Sequence, residues 1–110
     1  MKKKEIRIEA LDYLFCQHCK TPLMTMSFVI NQAWHNRTHT PYGLSIHYIR
    51  CENCHQKWAI IILADDEAWG FLQTEAENAK QLYKRVLELR KKGVSIIGIR
   101  NILFAPAYIS

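Results

Sequence analysis

Four cysteines stand in two pairs with the same spacing, and they are the residues of this chain best suited to chemistry. Cys16 and Cys19 are separated by two residues, and so are Cys51 and Cys54. A two-residue gap lets one tight turn direct both sulfurs to the same point. Two such turns supply four thiolates, which complete a tetrahedral shell and leave no position open for water or substrate. The spacing therefore predicts one structural Zn²⁺ ion, held by all four cysteines and without a catalytic role.

Three other uses of the cysteines compete with zinc. Two disulfides would need an oxidising compartment. A thioredoxin-like redox pair would have to open a helix directly after a strand. Iron fits the same cage of four sulfurs. His18 and His55 lie beside the cysteines, but because four thiolates already fill the shell, we expect them to be bystanders that offset thiolate charge.

The cysteine pairs and the segments around them resemble a zinc ribbon over residues 13–64. In that fold, two cysteine knuckles lie at the bases of antiparallel strands and share the metal. Residues 23–30 are apolar and compatible with a strand, and residues 44–50 alternate between apolar and polar. We expect these two segments to pair as a hairpin, which would bring Cys19 and Cys51 together across the 31 residues between them.

The next segments extend the sheet. Residues 58–63 form a β-branched run typical of a strand buried on both faces, residues 65–67 read as a turn, and residues 69–72 as a returning strand. The fold class predicted is therefore α+β, with a small antiparallel zinc-ribbon sheet of about four strands. Residues 1–72 would form this β domain, and residues 73–110 a helical element packed on it.

A helix is predicted directly after the sheet. Thr74 and Glu77 have the spacing of a capping box, and Gly93 is suited to the position just after a helix. Between them, apolar residues recur at intervals of three and four: Ala79, Leu82, Tyr83, Val86 and Leu89. The pattern predicts an amphipathic helix that packs on the sheet.

The apolar tail after Gly93 has two interpretations. As a helix, it begins at an N-cap Ser95 and ends before Pro106. Its Gly93-Val94-Ser95 turn, followed by Ile99, Ile102 and Leu103, then resembles the entry into the second helix of helix-turn-helix DNA binders of the transposase and resolvase type. As a β-branched segment, residues 94–99 would instead form a strand or an apolar helix that docks on the sheet or on a second copy.

Apolar residues at the very end of the chain, Tyr108 and Ile109, favour such docking because free termini are usually polar. The tail thus predicts a homodimer through residues 94–109 as one option.

Charge suggests a second kind of partner. The formal net charge is +5, and four thiolates with one Zn²⁺ would lower it by two units. Basic side chains gather on the outer face of the predicted helix, which carries Lys80, Lys84, Lys91 and Lys92 together with Glu88, and Arg85 lies at one flank of that face. They suit a nucleic-acid backbone, although the helix dipole alone also favours bases near a helix C-terminus.

Residues 31–43 read as a long loop between the two hairpin strands. It carries Trp34, Arg37 and Tyr42, a combination suited to stacking on bases and contacting phosphate. The alternative is that Trp34 folds back over the hairpin. His35 and His39 would bind a second metal only on a helix, and the Asn, Thr and Pro residues around them argue against one.

No enzyme motif is present: the chain has no phosphate loop, dinucleotide turn, nucleophile elbow or His-Glu-x-x-His sequence. Its longest apolar run, residues 58–64, is far shorter than the roughly 18 residues of a membrane span. We therefore expect a cytoplasmic, non-enzymatic zinc protein that binds nucleic acid or the transcription machinery. The alternative is a protein-interaction module or inhibitor that acts through the apolar tail.

Overall fold

The computed structural model describes the backbone of residues 12–109 and the side chains of residues 12–103. Residues 12–109 contain two small antiparallel sheets and three α-helices, so the predicted α+β class is confirmed. In chain order the elements are β1 (Tyr13–Phe15), β2 (Pro22–Thr25), α1 (Met26–His39), β3 (Leu44–Arg50), β4 (Lys57–Ala64), β5 (Trp69–Glu75), a 3-10 turn (Ala76–Asn78), α2 (Ala79–Lys91) and α3 (Ile96–Ile109).

The larger sheet is a three-stranded meander with β4 at its centre. The register of β4 pairs Leu63 with Leu44 on one side and Ala64 with Trp69 on the other. Every residue of β4 after Lys57 is buried, which confirms a strand covered on both faces. The smaller sheet pairs β1 with β2 alone.

The helices cover the two faces of the larger sheet separately. Because neighbouring residues of a strand point to opposite faces, Ile60 and Ile62 belong to one core and Ile61 and Leu63 to another. The first core contains residues of α1 and of β1–β2, among them Val29, Ala33 and Leu14. The second contains residues of α2 and α3: Val86, Ile96 and Ile99. The sheet is thus the middle layer of three.

The hairpin predicted between residues 23–30 and 44–50 is wrong. β2 ends at Thr25 and pairs with β1, and β3 pairs with β4. A helix begins at Met26 because the Thr25 side chain accepts a hydrogen bond from the backbone N–H of Phe28, 3.1 Å away, as an N-cap residue does. Val29, Ala33 and Asn36 then recur at helical spacing and are buried.

The long loop predicted over residues 31–43 is therefore mostly helix. α1 ends where the backbone N–H and the hydroxyl of Thr40 both donate to the carbonyl of Asn36, and Pro41 follows. Only residues 40–43 connect α1 to β3. Gly43 has φ of +69°, and a Cβ at this position would lie 1.9 Å from the carbonyl oxygen of Ala64. The connection requires glycine for both reasons.

The start of α2 also differs from expectation. Thr74 lies in β5 and forms no capping box, and α2 begins at Ala79 without a side-chain cap. Its end is as predicted. Gly93 has φ of +90°, and the N–H groups of Gly93 and Val94 donate to the carbonyls of Arg90 and Leu89. This is the Schellman arrangement of a helix C-terminus.

The tail is helical, so its interpretation as a strand is wrong. The Ser95 hydroxyl accepts from the N–H of Gly98 at 3.0 Å, as predicted for an N-cap. The helix continues past Pro106 to Ile109, beyond the predicted end. Tyr108 and Ile109, which were expected to favour docking, fall outside the described side chains. Among the described residues, no helix is both long and apolar enough to cross a membrane.

Candidate metal centre

Each Cys-x-x-Cys pair forms the turn of a hairpin: the first joins β1 to β2 and the second joins β3 to β4. The two turns have the same backbone hydrogen bonds. The carbonyls of Cys16 and Cys51 accept from the N–H groups of Lys20 and His55 at 2.8 and 2.9 Å. The N–H groups of the same two cysteines donate to the carbonyls of the residues five positions on, also at 2.8 and 2.9 Å. Two turns of one geometry therefore face a common point.

Both turns require a left-handed backbone residue. Lys20 has φ of 64° and His55 has φ of 67°, and they are the only described residues other than glycine with positive φ. A side chain in this region is sterically disfavoured. The same costly conformation at equivalent positions indicates that the placement of the sulfurs determines the backbone here.

The four sulfurs form one compact group, with all ligand atoms within 4.8 Å of one another. Cys16 Sγ lies 3.6 Å from Cys54 Sγ, and Cys19 Sγ lies 3.5 Å from Cys51 Sγ. Sulfurs bound about 2.3 Å from a shared tetrahedral ion are about 3.8 Å apart, whereas a disulfide brings them to about 2.05 Å. The cluster therefore fits a zinc-ribbon-like metal site.

A thioredoxin-like arrangement does not fit. Residues 17–19 and 52–54 are turns, and neither cysteine pair opens a helix. The alternative of a redox pair at a helix N-terminus is wrong for this fold.

Neighbouring groups donate hydrogen bonds to the sulfurs. Trp58 is fully buried, and its Nε1–H donates to Cys16 Sγ at 3.3 Å. The Thr21 hydroxyl lies 3.2 Å from Cys19 Sγ, and the backbone N–H of Cys54 lies 3.5 Å from Cys51 Sγ. Cys16 and Cys51 are buried and Cys54 is exposed. Such partners orient thiolate ligands and spread their charge.

The thiols influence one another strongly. Hydrogen bonds from the side chains of Asn53 and Thr21 lower the pKa of Cys19 to about 5. The backbone of Gln56 lowers the pKa of Cys54, but burial and the neighbouring sulfurs outweigh it and raise that pKa to about 12. Four thiolates this close repel each other. A divalent cation among the thiolates removes this repulsion. The four-sulfur donor set therefore favours binding of such a cation.

His18 connects the first knuckle to β5. Its Nε2 lies 3.4 Å from Glu75 Oε2, and its ring meets Trp58 edge-on with centroids 5.2 Å apart. Among the described residues, the four cysteines form the one group of three or more metal-ligating side chains. His18 and His55 are not part of it.

The predicted nucleic-acid residues fall on different sides of the fold. Lys80, Lys84, Arg85 and Lys91 are exposed on α2, and Lys92 is exposed directly after its last residue. Trp34 and Arg37 lie on α1, which covers the opposite face of the sheet. Tyr42 lies near the end of α2, where its carbonyl accepts from Arg90 Nε at 3.0 Å. The residues thus do not form one surface.

Two expectations for residues 31–43, which were predicted to be a loop, are wrong. Trp34 does not fold back as a cover, because it is 55% exposed. His35 and His39 do lie on a helix, with their rings stacked 4.4 Å apart. The described residues add no third ligand to this pair.

Asp65, in the turn predicted at residues 65–67, has a structural role. Its Oδ1 accepts from the N–H groups of Glu67 and Ala68, and its Oδ2 accepts from the N–H of Ile96 at 3.0 Å. Arg90 lies 3.9 Å from the same Oδ2. One carboxylate thus fixes the β4–β5 turn to the start of α3. An Asp that ends a strand is a recognisable turn signal, but its contact with α3 has no local signature.

Comparison of the chain with protein-family models, with curated proteins and with solved structures finds no match in any of the three.

Proposed function

We propose that this chain is a cytoplasmic, non-enzymatic zinc protein that binds nucleic acid through one helix, with the zinc ion in a structural role. Four thiolates of two equivalent knuckles would hold the ion and complete its shell. Such an ion would join the tips of the β1–β2 and β3–β4 hairpins, which have no strand pairing with each other. The metal therefore supports the fold and leaves binding to the surface.

The proposed binding surface is the basic face of α2, defined by five exposed side chains: Lys80, Lys84, Arg85, Lys91 and Lys92. Glu88 is the one acid exposed on the same helix. The helix has 13 residues and is thus about 20 Å long, which allows contact with several phosphates in succession. This segregation of charge is the observation that carries the proposal.

The helix dipole does not account for the whole pattern. It favours Lys91 and Lys92, which lie at the C-terminal end of α2. Lys80, however, is the second residue of the helix, where the dipole disfavours a cation, and Lys84 follows one turn later. The dipole therefore does not explain these two lysines, and neither forms an ion pair within the described part of the chain. Their place on the exposed face supports an external anion.

The proposed mode of nucleic-acid binding by α2 and α3 differs from that of a helix-turn-helix. The outward side chains of α3 include Ile97 and Ile102, whereas a recognition helix presents groups that hydrogen-bond to base edges. We therefore assign binding to the phosphates rather than to the bases, and expect weak sequence preference.

The test is binding of zinc-loaded protein to duplex DNA, single-stranded DNA and RNA across a salt series. We expect log affinity to fall with log salt, by about 0.9 per duplex phosphate contacted. The double variant Lys84→Glu/Arg85→Glu should lose binding and keep its zinc content and helicity. Arg50→Glu/Lys57→Glu changes the net charge equally at exposed sites outside α2 and serves as the control, once its zinc content is shown to be unchanged.

Equal loss in the two double variants would mean that total charge, and not α2, governs binding. Absence of binding at low salt to all three nucleic acids would overturn the proposal, and would favour a protein partner such as a component of the transcription machinery.

A second candidate function is association of two copies through α3. Ile97 and Ile102 are 46% and 49% exposed, which is high for isoleucine on a helix whose other face is core. Truncation after Gly93 would not test this, because it removes the fully buried Ile96 and Ile99 and with them part of the core. Ile97→Lys/Ile102→Lys leaves the core intact. Its mass in solution should be half that of the wild type if α3 forms a dimer, and unchanged if it does not.

A further inference from the structure

A cleft of about 160 Å³ lies between α1 and the β4–β5 turn. The alanines Ala33, Ala64 and Ala68 line it, together with larger side chains from both elements. Trp58, beside the cysteines, and Ala64, at the cleft, are six steps apart along β4, a distance of about 20 Å. The cleft is therefore remote from the metal centre, and it also lies on the face of the sheet opposite to α2.

Two indole rings line this cleft and remain partly in contact with water. Trp34 is 55% exposed and Trp69 is 38% exposed. Neither belongs to the buried cores of the described residues. A large aromatic surface left exposed beside a concavity is a feature of binding sites.

The charged side chains that line the cleft give it a net negative charge. Asp66 and Glu67 contribute two exposed carboxylates, and Arg37 contributes one guanidinium. The carboxylate of Asp65 is already engaged by three backbone N–H groups. The lining is thus aromatic with an excess of negative charge, which repels phosphate and attracts cations.

Arg37 provides an internal example of what these rings bind. Its Cζ lies 3.9 Å from the centroid of the Trp34 ring, which is a cation–π contact. The cleft volume equals that of about five water molecules, enough for a guanidinium or ammonium group with a few carbons of its chain.

We propose that this cleft binds organic cations, namely an alkylammonium or guanidinium group. Trp34 and Trp69 offer their ring faces to the cation, and Asp66 and Glu67 offset its charge. Arg37 competes with the incoming cation for the Trp34 ring and repels it. The group belongs either to a free amine or to a lysine or arginine side chain of a partner protein. This proposal is independent of nucleic-acid binding by α2.

The first experiment titrates zinc-loaded full-length protein with n-butylammonium and butylguanidinium chloride and follows tryptophan fluorescence. Neutral 1-butanol and anionic butyrate are the matched probes. We expect saturable binding of both cations with dissociation constants of about 1 mM, and no saturable response to the other two. Trp34→Phe and Trp69→Phe assign the signal, since Trp58 is buried and contributes a constant background.

Substitutions in the cleft distinguish a site that binds cations from one that binds an anion or a nucleotide. Asp66→Asn/Glu67→Gln should weaken cation binding at least fivefold, while Glu88→Gln on α2 leaves it unchanged. Arg37→Ala should strengthen cation binding, because it frees the Trp34 ring and removes a like charge. If Arg37 instead held an anion or a nucleotide, the same variant would weaken binding.

The source of the cation is distinguished with a lysine-containing pentapeptide and its acetyl-lysine counterpart. Preference for the charged peptide over butylammonium indicates a protein partner, and the reverse order indicates a free amine. The proposal is overturned if neither cation saturates, if 1-butanol binds as tightly as the cations, or if Arg37→Ala weakens binding.

Discussion

The indole N–H of Trp58 donates a hydrogen bond to the sulfur of Cys16 across 3.3 Å. Trp58 is the second residue of the central strand β4 and is fully buried, in a small core with Cys16 and Cys51. The cysteine cluster is thus connected to the core by a side chain that both packs and donates. Partners of this kind restrict the orientation of a metal ligand.

Replacing Trp58 by Phe should weaken metal binding without unfolding the protein. The variant keeps an aromatic ring in the core but loses the hydrogen bond to Cys16. We expect zinc affinity to fall by about tenfold, as measured by competition with a chromophoric chelator. Trp34→Phe and Trp69→Phe, at the other end of the sheet, are the controls. An unchanged zinc affinity in Trp58→Phe would mean that the hydrogen bond from Trp58 to Cys16 does not contribute to metal binding.

Glycine at the left-handed position of either knuckle should stabilise the zinc-loaded protein. Lys20 and His55 have φ of 64° and 67°, a region that costs about 1–2 kcal/mol with a side chain. Part of the gain is offset because glycine gives the unfolded chain more freedom. Lys20→Gly and His55→Gly should each raise the free energy of unfolding by about 0.5–1 kcal/mol.

Urea unfolding at fixed zinc concentration measures this gain. Lys57→Gly, at the start of β4, is the matched control, and it should destabilise because its backbone is extended. Destabilisation by glycine in both knuckles would contradict the strain argument.

Asp65→Asn should loosen α3 while leaving the β4–β5 turn in place. The amide oxygen can still accept from Glu67 and Ala68, but the amide NH₂ cannot accept from the N–H of Ile96. We expect a loss of about 1–2 kcal/mol in the free energy of unfolding. Hydrogen exchange at Ile96 should accelerate more than exchange within β4. Equal acceleration at both places would argue against a local role.

The same carboxylate makes stability depend on pH. Burial raises the pKa of Asp65, but hydrogen bonds from the backbones of Ile96, Glu67 and Ala68, together with Arg90, lower it below its ordinary value of 3.8. Its contribution is therefore complete above the pKa of the unfolded chain and is lost as pH falls through the lower pKa of the folded state. The difference in stability between wild type and Asp65→Asn should shrink as pH drops below about 4. Protonation of the cysteines affects wild type and Asp65→Asn alike, so it cancels when the stability of one is subtracted from that of the other.

The sequence predicted those parts of the fold that local patterns encode. The cysteine spacing predicted the cluster, the β-branched run predicted β4, and Gly93 predicted the end of α2. The helix α1 was missed because the apolar residues of 23–30 also fit a strand. Thr25 as an N-cap and the spacing of Val29 and Ala33 were the signals that favour a helix.

Other features depend on contacts between distant segments. Asn36 is buried, and its amide donates to Ser45 Oγ at 2.8 Å and to the carbonyl of Ile62 at 3.2 Å. No pattern around Asn36 indicates that it packs on β3 and β4 rather than facing solvent. The cleft between α1 and the β4–β5 turn is similar, since Trp34 and Trp69 come to line the same concavity only after α1 has folded onto the sheet.

Substitution of Co²⁺ for Zn²⁺ is the decisive test of one structural ion held by all four cysteines. Visible absorption and circular dichroism are recorded together, before and after a chelator is added. We expect one equivalent of metal, the intense absorption of tetrahedral thiolate-bound Co²⁺, and loss of the fold with the metal, because binding free energy is folding free energy in such sites. Cys51→Ser should lack the tetrathiolate spectrum and be strongly destabilised. If the chain keeps its circular dichroism without metal, or binds no Co²⁺ through sulfur, the four cysteines do not hold a structural ion.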